Sequence, residues 1–179
     1  VHRLDKGTSG VMVIAKNDDA HKELARQFHD REVEKEYVAL AWGLVQQRKR
    51  INAAIGRDPK NRVRMSTRAG RARSAVTRVT WSRDLKGVTL LRVAIATGRT
   101  HQIRVHLLES GHPVIGDELY GPEAVSGRHE ARARRGQFPL ALRAIALDYF
   151  DPFQRRPVHI EAPDAEFLAA HGFTSGPQA

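Results

Sequence analysis

The spacing of hydrophobic positions changes several times along the chain, and each change marks an element. Val11 to Ala15 is a short apolar run that predicts a buried strand. From Asp18 or Asp19, either of which would serve as a cap, to about Arg31, the apolar residues Leu24 and Phe28 recur at i, i+4, predicting a helix with one apolar face. Tyr37 to Val45 is β-branched and aromatic and predicts a strand. Ala75 to Trp81 and Val88 to Ala96 predict two more, joined through a Lys86-Gly87 turn as a hairpin. Gly98 then breaks the pattern. Thr100 is placed to cap a short helix to about Glu109, with Ile103 and Leu107 on one side and Gly111 and Pro113 ending it. Leu140 to Phe150 and Val158 to Glu161 complete the strands, Asp164 is placed to cap a last short helix, and Thr174 to Ala179 forms a polar tail.

Helices inserted singly among strands point to a strand-dominated α+β fold. No repeat or Pro/Gly/Ser-rich linker divides the chain, so residues 1–179 are expected to form one domain. No apolar run approaches the roughly 20 residues of a membrane span. The absence of cysteine rules out disulfides and Cys-based zinc sites within the chain and fits a cytoplasmic setting. The opening Val1-His2-Arg3-Leu4-Asp5 does not read as a secretory leader, and its abruptness leads us to expect that an N-terminal portion is missing.

Charge narrows the partner. Thirty Lys and Arg against twenty Asp and Glu leave a formal charge of +10, which favours a polyanion, since phosphate counterion release supplies much of nucleic-acid affinity. The surplus is clustered. Ten basic residues lie between Arg48 and Arg73, among them Arg62 and Arg64, with Asp58 the only acid. Gly56, Pro59 and Gly70 interrupt this stretch, so it predicts loops around short strands. A second cluster, Arg128, Arg132, Arg134 and Arg135, is relieved only by Glu130. Neither cluster carries the apolar face of an interfacial helix, so no membrane partner is expected.

Two segments carry candidate chemistry. In His2-Arg-Leu-Asp5-Lys-Gly7-Thr8-Ser9-Gly10, a carboxylate between Arg3 and Lys6 is expected to stay ionised. Gly7 and Gly10 permit a tight turn, which Thr8 and Ser9 can hold. On spacing alone, this is equally a plain turn before a strand. In Gly98-Arg-Thr-His101-Gln102-Ile103-Arg104-Val-His106, helical spacing puts His101 with Arg104 and Gln102 with His106. That is either an ordinary solvated face or a donor-rich anion site. His101 and His106 are five apart, which is wrong for a helical zinc pair, so no metal is expected.

Taken in order, these segments resemble the motifs of RluA-type RNA pseudouridine synthases. The first is similar to the family's hallmark motif, whose catalytic Asp corresponds to Asp5. Lys35-Glu36-Tyr37 resembles the second, in which a Tyr lies against the target base. The Gly98–His106 segment resembles the third, whose later Arg, here Arg104, pairs with the catalytic Asp. His112-Pro113, Gly116-Asp117 and Tyr120-Gly121 are similar to a further signature. The late strand departs from the pattern, with Leu142-Arg143-Ala144 where Leu-His-Ala is common. The resemblance implies a single catalytic domain on a mainly antiparallel mixed sheet with a few flanking helices. In the family, strands precede the first motif, often with a small S4-like RNA-binding domain ahead of them.

The resemblance also implies isomerisation of uridine to pseudouridine in RNA, with no cofactor. Asp5, Tyr37 and Arg104 would be catalytic. Arg3 would fill the space of a flipped base, Ile103 and Thr8 would line the uracil pocket, and Arg62 and Arg64 would track phosphates. Ribosomal RNA is the favoured partner and transfer RNA an alternative; DNA is not expected, and the protein is expected to be a monomer. Two readings compete. A non-catalytic RNA-binding module of the same fold would share the charge but has no need of a carboxylate amid phosphates. A nucleic-acid glycosylase also flips bases, but the motif order disfavours it.

Overall fold

The computed structural model describes residues 1–121 and 139–173. The second basic cluster and the polar tail lie outside the described residues. In chain order the elements are β1 (Ser9–Gly10), α1 (Asp18–Asp30), β2 (Glu34–Trp42), β3 (Arg50–Asn52), β4 (Ile55–Arg57), β5 (Met65–Ser66) and β6 (Ala72–Arg73). Then come β7 (Val76–Asp84), β8 (Val88–Ile95), α2 (Gln102–Glu109), β9 (Leu142–Asp151), β10 (Arg156–Glu161) and α3 (Ala165–Ala170).

Val38, Ala39, Leu40 and Ala41 are buried in succession, on both faces of their strand, as a central strand requires. β2 accordingly sits inside a seven-stranded sheet of order β1-β9-β2-β8-β7-β3, with β10 also on β9. Every pairing is antiparallel except the short parallel contact of β1 with β9. The fold is therefore α+β on a mainly antiparallel mixed sheet. β4, β5 and β6 form a small second sheet, order β5-β4-β6, out of the basic stretch. Leu107, Ile103, Phe167 and Leu168 from α2 and α3 pack with Leu40, Leu91 and Val93 in the main core.

Several expectations are corrected. Val11–Ala15 is not a strand; only Ser9–Gly10 pairs, and Met12 and Ile14 are exposed. β9 has no free edge there, because β10 takes it over from Ala146 onward. The cap of α1 is Asn17, whose side chain accepts the Ala20 N–H at 2.8 Å, rather than Asp18 or Asp19. Those two acids occupy the first turn, where they favour the helix dipole. Its buried face is Leu24 with Gln27, which bonds the Phe150 carbonyl and N–H at 2.8 and 3.1 Å. β2 begins at Glu34 and ends at Trp42, before the positive-φ Gly43. Asp164 stands at the cap of α3 but makes no side-chain capping bond. The β7–β8 hairpin turns as expected, with Lys86 (φ 59°) and Gly87 (φ 96°) both left-handed.

Candidate active site

The first motif folds into a turn in which the Thr8 N–H donates to the Asp5 carbonyl at 3.0 Å. Gly10, at φ 112°, must be glycine: a Cβ there would lie 1.9 Å from the Ala144 carbonyl oxygen. That close approach seats the turn on β9. Arg143 fastens it, donating through Nη1 to Ser9 Oγ and through Nε to the Pro163 carbonyl, both at 3.1 Å. The arginine at the position that departs from the family pattern thus anchors the motif turn.

Asp5, 17 % exposed, faces a cavity of about 100 Å³. Arg3, Thr8, Tyr37 and Ile103 line it as well, and Asp5 is its only carboxylate among the described residues. The Thr8 hydroxyl is buried there with no hydrogen-bond partner among the described residues, a polar group left for a ligand. Tyr37 arrives from β2 at a register shift, where Glu36 opposes Ala146 but Tyr37 opposes Ala144. Such a bulge re-aims side chains next to a site. Burial, and secondarily the charge of Asp5, push the Tyr37 hydroxyl up to about 12, so it remains a proton donor at neutral pH.

The third motif is neither a solvated face nor capped by Thr100. Gln102 through Leu107 are all buried, and the helix enters through His101 in the left-handed region, φ 56°. The Gln102 side chain braces the segment leading into the helix, its Oε1 accepting from the Arg99 N–H at 3.1 Å and the Thr97 hydroxyl at 2.7 Å, and His101 at the N-cap makes no side-chain capping bond. Its Nε2 donates to the Val76 carbonyl at 2.9 Å. His106, fully buried, donates through Nε2 to the Ala53 carbonyl (2.9 Å), leaving Nδ1 to accept from Thr77 Oγ1 (2.8 Å). Burial lowers its pKa, in keeping with a neutral ring.

The resemblance pairs Arg104 with Asp5, and the structure adds a bidentate partner, Asp117: Nε donates to Oδ2 at 2.7 Å and Nη2 to Oδ1 at 2.8 Å. Asp5 stands 3.6 Å from Nη1. Burial works against the arginine's charge, but bonded Asp117, and then Asp5, outweigh it and raise its pKa. Asp117, its side chain 0 % exposed, also accepts the N–H groups of Leu119 and Tyr120. Tyr120 is wedged between cations, with Arg104 and Arg64 each 5.1 Å from its ring centroid. Its hydroxyl accepts the Met65 N–H at 2.6 Å, which leaves its proton for His101 Nδ1 at 2.8 Å.

The turn, β2 and α2 therefore bring Asp5, Tyr37, Arg3, Thr8 and Ile103 to one cavity, with Arg104 behind Asp5. Arg62 and Arg64 do not line it. Arg62 is exposed, while Arg64 is half-buried against Tyr120. Spacing alone assigns Gly116-Asp117 and Tyr120-Gly121 no role, and an acidic pair, Asp117-Glu118, ahead of a glycine-containing turn is the signal the sequence carries for Asp117. Among the described residues, no three His, Asp or Glu side chains are grouped as a metal site, and no helix is long and apolar enough to cross a membrane.

Residues 1–109 match the family described as RNA pseudouridylate synthase. A protein of Xylella fastidiosa named ribosomal large subunit pseudouridine synthase D is 39 % identical over 172 residues, 94 % of this chain and 52 % of its own. An uncharacterized RNA pseudouridine synthase of Aquifex aeolicus is 44 % identical over 155 residues, 85 % of this chain and 48 % of its own. The chain thus spans about half the length of these curated relatives. Among solved structures, human RNA pseudouridylate synthase domain containing 1 superposes with a TM-score of 0.79 at 31 % identity, over 94 % of this chain and 71 % of that one.

Proposed function

Because the chain belongs to the RNA pseudouridylate synthase family, we propose that it isomerises uridine to pseudouridine within RNA. One observation carries the reading: Asp5, the only carboxylate in the cavity among the described residues, stands before an arginine whose other edge is already held by Asp117. The name of the Xylella relative supports large-subunit ribosomal RNA as the substrate.

In this reaction the N1–C1′ bond breaks, the uracil turns, and C5 bonds to C1′ while its proton is released and N1 gains one. Nothing is oxidised or lost overall, so the chemistry requires neither metal nor cofactor. Asp5 would act as a nucleophile on ribose or base, or as the base for a ribose proton; both uses need an ionised, positioned carboxylate. Arg104 supplies the positive charge beside it. Tyr37 offers a flat ring to the uracil and a hydroxyl that stays protonated. Thr8 offers its unpartnered hydroxyl, and Ile103 an apolar wall. A base inside a helix cannot reach such a cavity, so the target must be flipped or unpaired. Exposed Arg3 at the rim would fill the vacated space.

The test is release of tritium from uracil C5 in ribosomal RNA, in EDTA. The unaltered protein should release it. Asp5→Asn should lower turnover by about 10²–10⁴-fold or more while keeping RNA affinity. Full turnover by Asp5→Asn would overturn the assignment. Joint loss of affinity and turnover in a folded protein would make Asp5 part of a binding surface.

A further inference from the structure

A second depression opens directly off the Asp5 cavity, and the two share Arg3, Tyr37, Ile95, Gly98 and Arg99. It is a groove of about 940 Å³ between α1 and the end of β8. Among the described residues, five cationic side chains line it, Arg3, Arg31, Lys35, Arg73 and Arg99, and no Asp or Glu does. Among the described residues none of the five makes an ion pair.

Lys35 gives the groove its character as a built site. It is only 9 % exposed and lies 5.4 Å from the Phe28 ring centroid, yet its ammonium has no hydrogen-bond partner among the described residues. Burial lowers its pKa. This partial burial disfavours the ammonium's charged form, and an incoming anion would favour it. The neighbouring acid Glu36 is already engaged by Arg92 at 3.4 Å and by Thr80 at 3.1 Å. Arg99 is oriented for the same task, since its Nε donates to the Ser74 carbonyl at 3.1 Å and its terminal nitrogens remain available. Arg31 is placed at the groove by the left-handed C-cap of α1, φ 65°. Of the long basic stretch, Arg73 alone lines this groove, delivered by β6.

We infer that this groove holds the phosphodiester backbone of the unpaired RNA segment that flanks the target uridine. The proposal deepens the catalytic reading and rests on it for the position of that uridine. The sharing of walls carries the argument. A nucleotide inserted at Asp5 has its neighbouring phosphates within reach of the rim residues Arg3 and Arg99, and the groove continues that rim as an acid-free cationic track. The strand path thus runs along α1, on residues outside the Arg48–Arg73 stretch apart from Arg73.

The experiment measures the affinity of a short single-stranded oligouridylate for the full chain across a NaCl series. Single-strand contacts contribute a slope of about 0.7 per neutralised phosphate. The exposed pair Arg31→Ala with Arg73→Ala should therefore lower the slope of log K against log salt by about 1.4. Lys35→Met, which keeps the apolar stem, should lower it by about 0.7. Arg156→Ala, an exposed charge on β10 outside the groove, should leave it unchanged. An unaltered slope in the double variant, or an equal loss per charge in Arg156→Ala, would overturn the groove. Tritium release measured on the same proteins separates the two readings. An unaltered chain that shows the groove's salt signature without forming pseudouridine would overturn the catalytic reading and leave the groove standing.

Discussion

Asp117 and Asp5 both face Arg104, and the structure holds them in opposite ways. Asp117 is sealed from solvent, bidentate to the guanidinium, and bonded to the N–H groups of Leu119 and Tyr120. Asp5 sits on a glycine-containing turn, 17 % exposed and 3.6 Å from the same arginine. The contrast extends outward. Behind Arg104, Gln102, His106 and Tyr120 have their polar groups bonded to protein. Among the described residues, the Thr8 hydroxyl on the cavity side is unpartnered, and the Lys35 ammonium in the adjoining groove makes no ion pair. A fully satisfied network fixes the arginine in one place. The Thr8 hydroxyl is left where a substrate would meet it, whereas the buried Nε atoms of Arg64 and Arg92, also unpartnered among the described residues, lie away from the cavity.

The sharpest way to break this contrast is to exchange the fates of the two acids. Asp117→Ala removes one partner of a buried pair and should cost about 3–5 kcal/mol in urea unfolding. Asp5→Asn loses only a long, partly solvated contact and should cost less than about 1 kcal/mol, although it removes the reacting group. Equal destabilisation by both would show that the two sides of Arg104 do not differ in the way described.

A smaller effect concerns pH. Burial lowers the pKa of His106, so below the ordinary value of 6.5 the unfolded chain binds a proton that the folded chain refuses. Stability should therefore fall as pH drops below about 6.5 and level off once the folded ring also protonates. His2 and His101, lowered first by burial, act with the same sign. His159, raised by Asp148 on the surface, acts oppositely, so His159→Ala should steepen the loss. A urea midpoint that stays flat between neutral and mildly acidic pH would contradict a neutral, fully bonded His106.

The smallest effect separates two arginines that sequence treated alike. Arg64→Ala removes a cation from the Tyr120 ring and should cost about 0.5–1 kcal/mol. Arg62→Ala, on an exposed residue, should stay within about 0.5 kcal/mol. Thermal melts of the two single variants check this. Equal melts would return Arg64 to the same role as Arg62.

Much of the architecture was legible in residue pattern alone, because it depends on local periodicity and turn chemistry. The β7–β8 hairpin follows from two β-branched runs around Lys86-Gly87, and α1 and α2 lie close to where their apolar spacing put them. The order of the motifs pointed to the family, to Asp5, Tyr37 and Arg104 as a set, and to an anionic partner through the clustered charge. What sequence could not supply were contacts between residues far apart in the chain. Val11–Ala15 has the composition of a strand, but beyond the Val11 N–H bond to the Ala144 carbonyl it does not pair with β9, whose edge β10 occupies from Ala146 onward. Thr100 has the right chemistry for a cap, but the helix starts after His101 without a side-chain capping bond, and Gln102 ties its first turn to β7. Arg104 has two acids of the same charge to choose between, and only the packing of the loop after α2 decides that Asp117 binds it tightly while Asp5 stays open to a substrate. Composition and local spacing fix which groups are available, whereas burial and long-range geometry fix which of them are already satisfied.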